Sequence, residues 1–294
     1  MNKGFFGRLI VCGLLVGLGF SALAARLFII QVRDRERLVA YAERQLQRTL
    51  RVRAKRGEIL DVRGRPLAVS VNASSLYANP REVKNPVAVS RALSKVLGVP
   101  RLGIYKKLSG GKRYVWLRRK LMPGEKRKIL ALGLPGLGFV TESRRFYPKR
   151  ELASSLLGFV GVDDNGLAGV ELAFESKMKG RPGRMRIERD ARGRAVHPES
   201  NIVVPTRSGA DIRLTVDEVL QYIVEKELHL QLKRVGARRA IGVMVEPATG
   251  RILAMATVPG FNPNSYGRYP PERWKQAAVQ DIYEPGSTFK IITA

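Results

Sequence analysis

The side chains best placed for covalent chemistry are a serine and a lysine three positions apart, in Glu284-Pro285-Gly286-Ser287-Thr288-Phe289-Lys290. A serine hydroxyl is a weak nucleophile until a base takes its proton. A lysine becomes that base when burial or nearby cations keep it neutral. On the first turn of a helix, positions i and i+3 share a face, which brings the Lys290 amine to the Ser287 oxygen. Free N–H groups at the helix start favour an oxyanion on an attacked carbonyl. The chemistry would be acyl transfer through a serine ester. Ser-x-x-Lys is a short pattern, however, and it also occurs as Ser109…Lys112 in a basic Gly-rich stretch. A third copy, Ser176…Lys179, runs into the turn Gly180-Arg181-Pro182-Gly183. Only Ser287 follows a tight Pro285-Gly286 turn and precedes apolar residues (Phe289, Ile291, Ile292) that predict a buried helix. Read alone, even this copy fits an N-cap serine with a surface lysine.

Other chemistry is scarce. His197 precedes a proline and His229 sits in a helical run, so both read as structural. One cysteine, Cys12, rules out a disulfide framework, and with two histidines it makes no plausible zinc set. No metal and no cofactor is expected.

The elements that must position Ser287 begin near residue 208. Asp211–Val216 reads as a strand, and Asp217 can cap an amphipathic helix to about Val235. Residues 240–246 and 251–256 read as a hairpin around Pro247-Ala248-Thr249-Gly250. A loop rich in Pro, Asn and Tyr covers 259–271. Upstream, residues 33–50 carry a helical pattern that predicts a stalk, and from Arg51 the period changes to two. Glu58–Val62 and Leu67–Val71 read as strands around the turn Arg63-Gly64-Arg65-Pro66. Helices are predicted over 86–98 and 123–132, and strands over 114–117 and 138–141. The fold class is α+β.

From Leu9 to Val32 the chain is apolar apart from Ser21, Arg26 and Gln31. A helix of that length spans ~36 Å, enough for a ~30 Å hydrocarbon core. Ala22-Leu23-Ala24 also fits a signal-peptide cleavage site, but the apolar run resumes at Leu27-Phe28-Ile29-Ile30 and favours an anchor. Cys12 then faces lipid, and the remainder is exported on either reading. The 294 residues carry 53 Lys+Arg and 25 Asp+Glu, a net charge of +28. Spread along the chain without an aromatic-interleaved stripe, that charge does not read as a nucleic-acid site. It reads as solvated surface, with lipid headgroups and envelope polymers as the natural anions.

Met255-Ala256 through Asn262-Pro263-Asn264, followed by Glu284–Lys290, resembles the start of the transpeptidase domain of class B penicillin-binding proteins, nearest the division-specific, FtsI-type branch. Arg56–Asp61 with Gly64–Ser70 is similar to that family's first pedestal motif. Arg145-Phe146-Tyr147-Pro148, Leu157–Gly161 and Gly166–Glu171 resemble later ones; Val62-Arg63 departs from the usual arginine directly after the aspartate. The resemblance implies a cytoplasmic tail (1–8), a single-pass anchor in the inner membrane (9–32), and an elongated pedestal or dimerisation domain outside the cytoplasm (33–207). The start of a serine transpeptidase domain (208–294) would follow. It implies cross-linking of septal peptidoglycan, with Ser287 as nucleophile on a D-Ala-D-Ala stem peptide, Lys290 as base and the Ser287 N–H in the oxyanion hole. β-Lactams would acylate the same serine, and division proteins, a glycosyltransferase among them, would be partners. An elongation-specific enzyme and a non-catalytic division scaffold are the alternatives. The family's Ser-x-Asn and Lys-Thr-Gly elements do not follow Lys290, so the chain reads as a fragment with no activity alone.

Overall fold

The computed structural model describes residues 3–38, 47–52, 54–188, 201–282 and 284–290. It divides into two compact units: Met1–Val52 with Gly183–Pro205, and Arg53–Pro182 with Thr206–Ala294. In the first, helix α1 (Lys3–Phe28) passes into a π-helical turn over Ile29–Arg33. Cys12–Arg33 is long and apolar enough to cross a membrane, with Cys12 exposed on it. Strand β1 (Gln47–Val52) pairs antiparallel with β6 (Gly183–Glu188), which pairs with β7 (Asn201–Val204). This corrects the helix expected over 33–50. Residues 35–38 form one helical turn, but 47–50 are already strand, because their backbone bonds go to a partner more than 130 residues away that local periodicity cannot see.

The second unit is built around one long strand. β3 (Pro66–Ala78) pairs at its start with β2 (Ile59–Leu60), along its length with β5 (Leu137–Phe146), and at its end with β4 (Val115–Leu121). Helices α2 (Pro86–Leu97), α3 (Arg101–Leu108) and α4 (Pro123–Ala131) supply the main core of this part. In α2 the Asn85 side chain accepts from the Ala88 N–H, Pro86 opens the helix, and Gly98 ends it at φ 61°. Between those signals Val89, Leu93 and Leu97 fall on one face and are buried, each contributing about 2 kcal/mol. A second core joins Ile59, Leu67, Ala68, Tyr147, Leu157, Val170 and Met178, with the short helices α5 (Ser154–Leu157), α6 (Gly169–Ala173) and α7 (Glu175–Met178) around it.

Strand β8 (Ile212–Arg213), shorter than expected, runs parallel to β2. Helix α8 (Glu218–Val235) starts at Asp217, whose carboxylate accepts from the Val219 and Leu220 N–H groups, and ends at Gly236. β9 (Ala240–Val245) and β10 (Ile252–Val258) form the expected hairpin. The predicted loop after it contains two 3-10 turns, Pro263–Arg268 and Pro271–Arg273, before helix α9 (Ala277–Gln280).

Candidate active site

Ser287 lies in a 3-10 turn, Gly286–Phe289. Gly286 enters it at φ 51°, a conformation that glycine adopts without steric cost. The Lys290 N–H donates to the Ser287 carbonyl, so the two residues close one turn. Ser287, Phe289 and Lys290 are exposed, Phe289 at 52%, where the sequence predicted a buried helix face. Ile291 and Ile292 lie outside the described residues. Of the other two copies, Ser109 caps α3, while the Lys179 amine is engaged by Asn165 Oδ1 at 2.6 Å, away from Ser176. His229 sits on α8 with Nδ1 2.9 Å from the Glu225 carbonyl, a structural role; His197 lies outside the described residues. Among the described residues no group of three His, Cys, Asp or Glu side chains is arranged as metal ligands.

The segment leading to Ser287 is anchored by side chains that stand in for backbone. Gln221, fully buried on α8, accepts from the Met255 N–H (2.8 Å) and donates to the Met255 carbonyl (3.0 Å), pairing with β10 as a strand would. Thr257 on β10 donates to Gln276 Oε1 and accepts from the Ala277 N–H, which ties down the start of α9. Asn264 does the same for the loop: its Oδ1 accepts from the Tyr147 N–H (3.0 Å) and its amide donates to the Tyr147 carbonyl (2.9 Å). Phe159 stacks on Tyr266, with Phe261 and Trp274 edge-on to it.

Beneath this lies a buried ionic hub that spacing alone did not reveal. Glu171, with no solvent exposure, accepts from Arg56 Nε at 2.7 Å and Arg145 Nε at 2.6 Å, and the Tyr147 hydroxyl donates to it at 3.2 Å. Arg56 also reaches Glu175 (2.6 Å) and the Glu171 carbonyl, and Arg145 reaches the Gly57 carbonyl (2.6 Å). Burial works against the Arg56 charge, but Glu171 and Glu175 outweigh it and hold its pKa above the ordinary value. Burial first, then the charge of Glu171, push the Tyr147 hydroxyl well up, so it stays a donor. Gly57 belongs to the same knot: a Cβ there would lie 1.9 Å from the Ala210 carbonyl oxygen.

A second knot joins the β2–β3 turn to the start of α8. Asp61 accepts from the Arg63 and Arg65 N–H groups and from the Arg65 guanidinium, which also reaches Asp217 at 3.1 Å. Burial alone would raise the Asp61 carboxyl, but the bonds from Arg65 and the flanking amides outweigh it and hold the group below its usual value.

Residues 51–214 match the family described as the Penicillin-binding Protein dimerisation domain, and residues 240–294 match the Penicillin binding protein transpeptidase domain. The chain is 34% identical over 285 residues to a probable peptidoglycan D,D-transpeptidase PbpC of Pseudomonas aeruginosa, covering 96% of this chain and 50% of that protein. It is 33% identical over 288 residues to the peptidoglycan D,D-transpeptidase FtsI of Escherichia coli K12 (96% and 48%). To the stage V sporulation protein D of Bacillus subtilis it is 34% identical over 278 residues (93% and 43%). The chain therefore spans about half the length of these relatives. Among solved structures, a peptidoglycan synthetase from Bifidobacterium adolescentis matches with a TM-score of 0.54 and 27% identity, over 83% of this chain and 49% of that one.

Proposed function

We propose that this chain, which belongs to the penicillin-binding protein family, carries the nucleophile and base of a peptidoglycan D,D-transpeptidase. The observation that carries the reading is the order of the two matched segments, dimerisation then transpeptidase, with Ser287-x-x-Lys290 inside the second. Ser287 Oγ attacks the carbonyl of the penultimate D-Ala of a stem peptide as neutral Lys290 takes its proton. The C–N bond to the terminal D-Ala breaks and that amine leaves with the proton from lysine. An amine from a neighbouring peptide then attacks the ester, and Ser287 recovers its proton. A neutral lysine needs cover from water. With Lys290 exposed, that cover has to come from bound substrate or from further polypeptide packed over the turn.

The same reading places the apolar helix across the inner membrane, with 1–8 inside, a pedestal over 33–207 outside it and the transpeptidase segment over 208–294. It makes β-lactams acylating inhibitors. The likeness to FtsI relatives favours septum formation over elongation in this reading, which takes division proteins, including a glycosyltransferase, as partners.

Labelling with a fluorescent penicillin tests the chemistry. Protein captured from its own cells by an antibody to residues 1–294 is expected to carry a heat-stable label, lost in S287A and reduced at least a hundredfold in K290A. Captured protein without label would leave a non-catalytic division scaffold as the better reading, and label that survives S287A would overturn the assignment of Ser287 as nucleophile.

A further inference from the structure

Two neighbouring cavities of about 610 and 620 Å³ open on the second unit and share Arg118, Met122, Arg144, Asn264, Tyr266 and Arg268 in their walls. Arg150 extends the second cavity. Other cations around the first are already neutralised: Arg119 by Glu142 and Asp163, Lys120 by Asp164, and Arg145 by Glu171. Arg118, Arg144, Arg150 and Arg268 differ, since none of them forms an ion pair with a carboxylate among the described residues. The nearest acidic wall residue is Glu125, whose carboxylate accepts from the Met122 N–H at 2.7 Å.

Arg144 is half-buried and held in place. Its Nη1 donates to the Lys120 carbonyl at 3.2 Å and contacts Met122 Sδ at 3.1 Å. Burial lowers its pKa; the pull of Glu125 opposes that, and the weaker push of the facing Arg118 adds to it. Lys120, whose carbonyl it grips, has a left-handed backbone (φ 54°), as does Arg150 (φ 54°). For residues with a Cβ that conformation costs on the order of 1 kcal/mol each and is kept where surrounding structure enforces it. The groove therefore gathers four guanidinium groups on a constrained frame, with Glu125 a partial counter-charge to Arg144.

We propose that the joined cavities are a docking groove for an acidic peptide segment of a partner protein. Carboxylates pair with Arg118, Arg144, Arg150 and Arg268, and an aromatic or aliphatic side chain lies between them against Tyr266 and Met122. Arg118, Arg144 and Arg268 line both cavities and Arg150 the second alone, an array longer than a lone phosphate needs and suited to an extended segment. The site is concave, where a lipid surface would need a flat or convex one. Arg favours planar carboxylates bidentately, and the apolar walls suit a peptide better than a polyphosphate.

This groove is independent of acyl transfer, so peptide binding and penicillin labelling fail separately. The full chain in detergent micelles is titrated against a fluorescein-labelled peptide of glutamates interrupted by two phenylalanines. Saturable binding that weakens as salt rises is expected, roughly tenfold or more weaker in R118E/R268E, and absent when glutamines replace the glutamates. Should the reversal lower Tm, R150Q/R268Q reads the same site through a smaller loss, about threefold. Unchanged affinity in well-folded variants overturns the proposal. So does arginine-dependent binding of inorganic pyrophosphate or phosphatidylglycerol vesicles with no binding of the peptide.

Discussion

Glu171 is the residue on which most depends. Two guanidinium groups, exposed by only 3% and 6% at Arg56 and Arg145, have this carboxylate as their common partner. E171Q keeps the volume and removes the charge, so both cations stay buried without it. The expected loss is about 3–5 kcal/mol, read as a fall in the urea midpoint. Asp61 makes a pH prediction. Its folded pKa lies below the ordinary 3.8, so its contribution is complete above that value and is lost as pH falls through the folded pKa. Wild type should therefore exceed D61N in stability at neutral pH, and acid titration should shrink the gap once pH drops below about 4. Residue identity does not disclose such roles. Arg144 and Arg145 are neighbours of one type, yet Arg145 is buried on Glu171 and Arg144 is half-buried with no carboxylate ion pair among the described residues. Ser287 and Lys290 could be proposed as a pair from sequence because their spacing is local, and the structure sets them within one turn. Arg56, Arg145 and Glu171 are up to 115 residues apart, and only resemblance flagged the motifs that hold them.

At the scale of elements, the short polar bridges are the testable joints. Q221A removes both bonds to Met255 and should cost about 1–3 kcal/mol. Faster amide exchange along β10 would confirm that the helix side chain, not the hairpin alone, holds that strand. N264A should free the Tyr147 amide to exchange and loosen the 259–271 segment with little change in α8. Elements with their own punctuation were readable in sequence: α2 has Asn85-Pro86 and Gly98, and α8 has Asp217 and Gly236. Helix α3 was missed because Leu102 is exposed and its N-cap is a proline without a side-chain bond, leaving a weak pattern. β3 and β5 were read too short for a different reason. Ser75, buried and bonded to Glu142, and Arg145, buried on Glu171, put polar residues at inward positions and hide the two-residue period.

Over the whole molecule, the surface around the transpeptidase segment is unusually apolar. Val219, Tyr222, Ile223 and Leu230 on α8, and Ile241, Val243 and Val245 on β9, are each at least 39% exposed. Exposed apolar stripes of this kind, one on α8 and one on the β9 face away from it, are expected to bind partner surface or dye. The chain in detergent should therefore enhance ANS fluorescence. Replacing Val243 and Val245 by threonine should cut that enhancement without lowering the urea midpoint by more than about 1 kcal/mol. These exposed stripes escaped the sequence reading because periodicity reports which face is apolar and not what covers it. The knot at Glu171 limits how such a molecule can be rewritten. Exchanging the arginine–glutamate–arginine trio for hydrocarbon one codon at a time passes through intermediates that strand a charge in oil. A mutagenesis library that varies Glu171 alone will find only failures, while one that changes it together with both arginines and Glu175 has a route across.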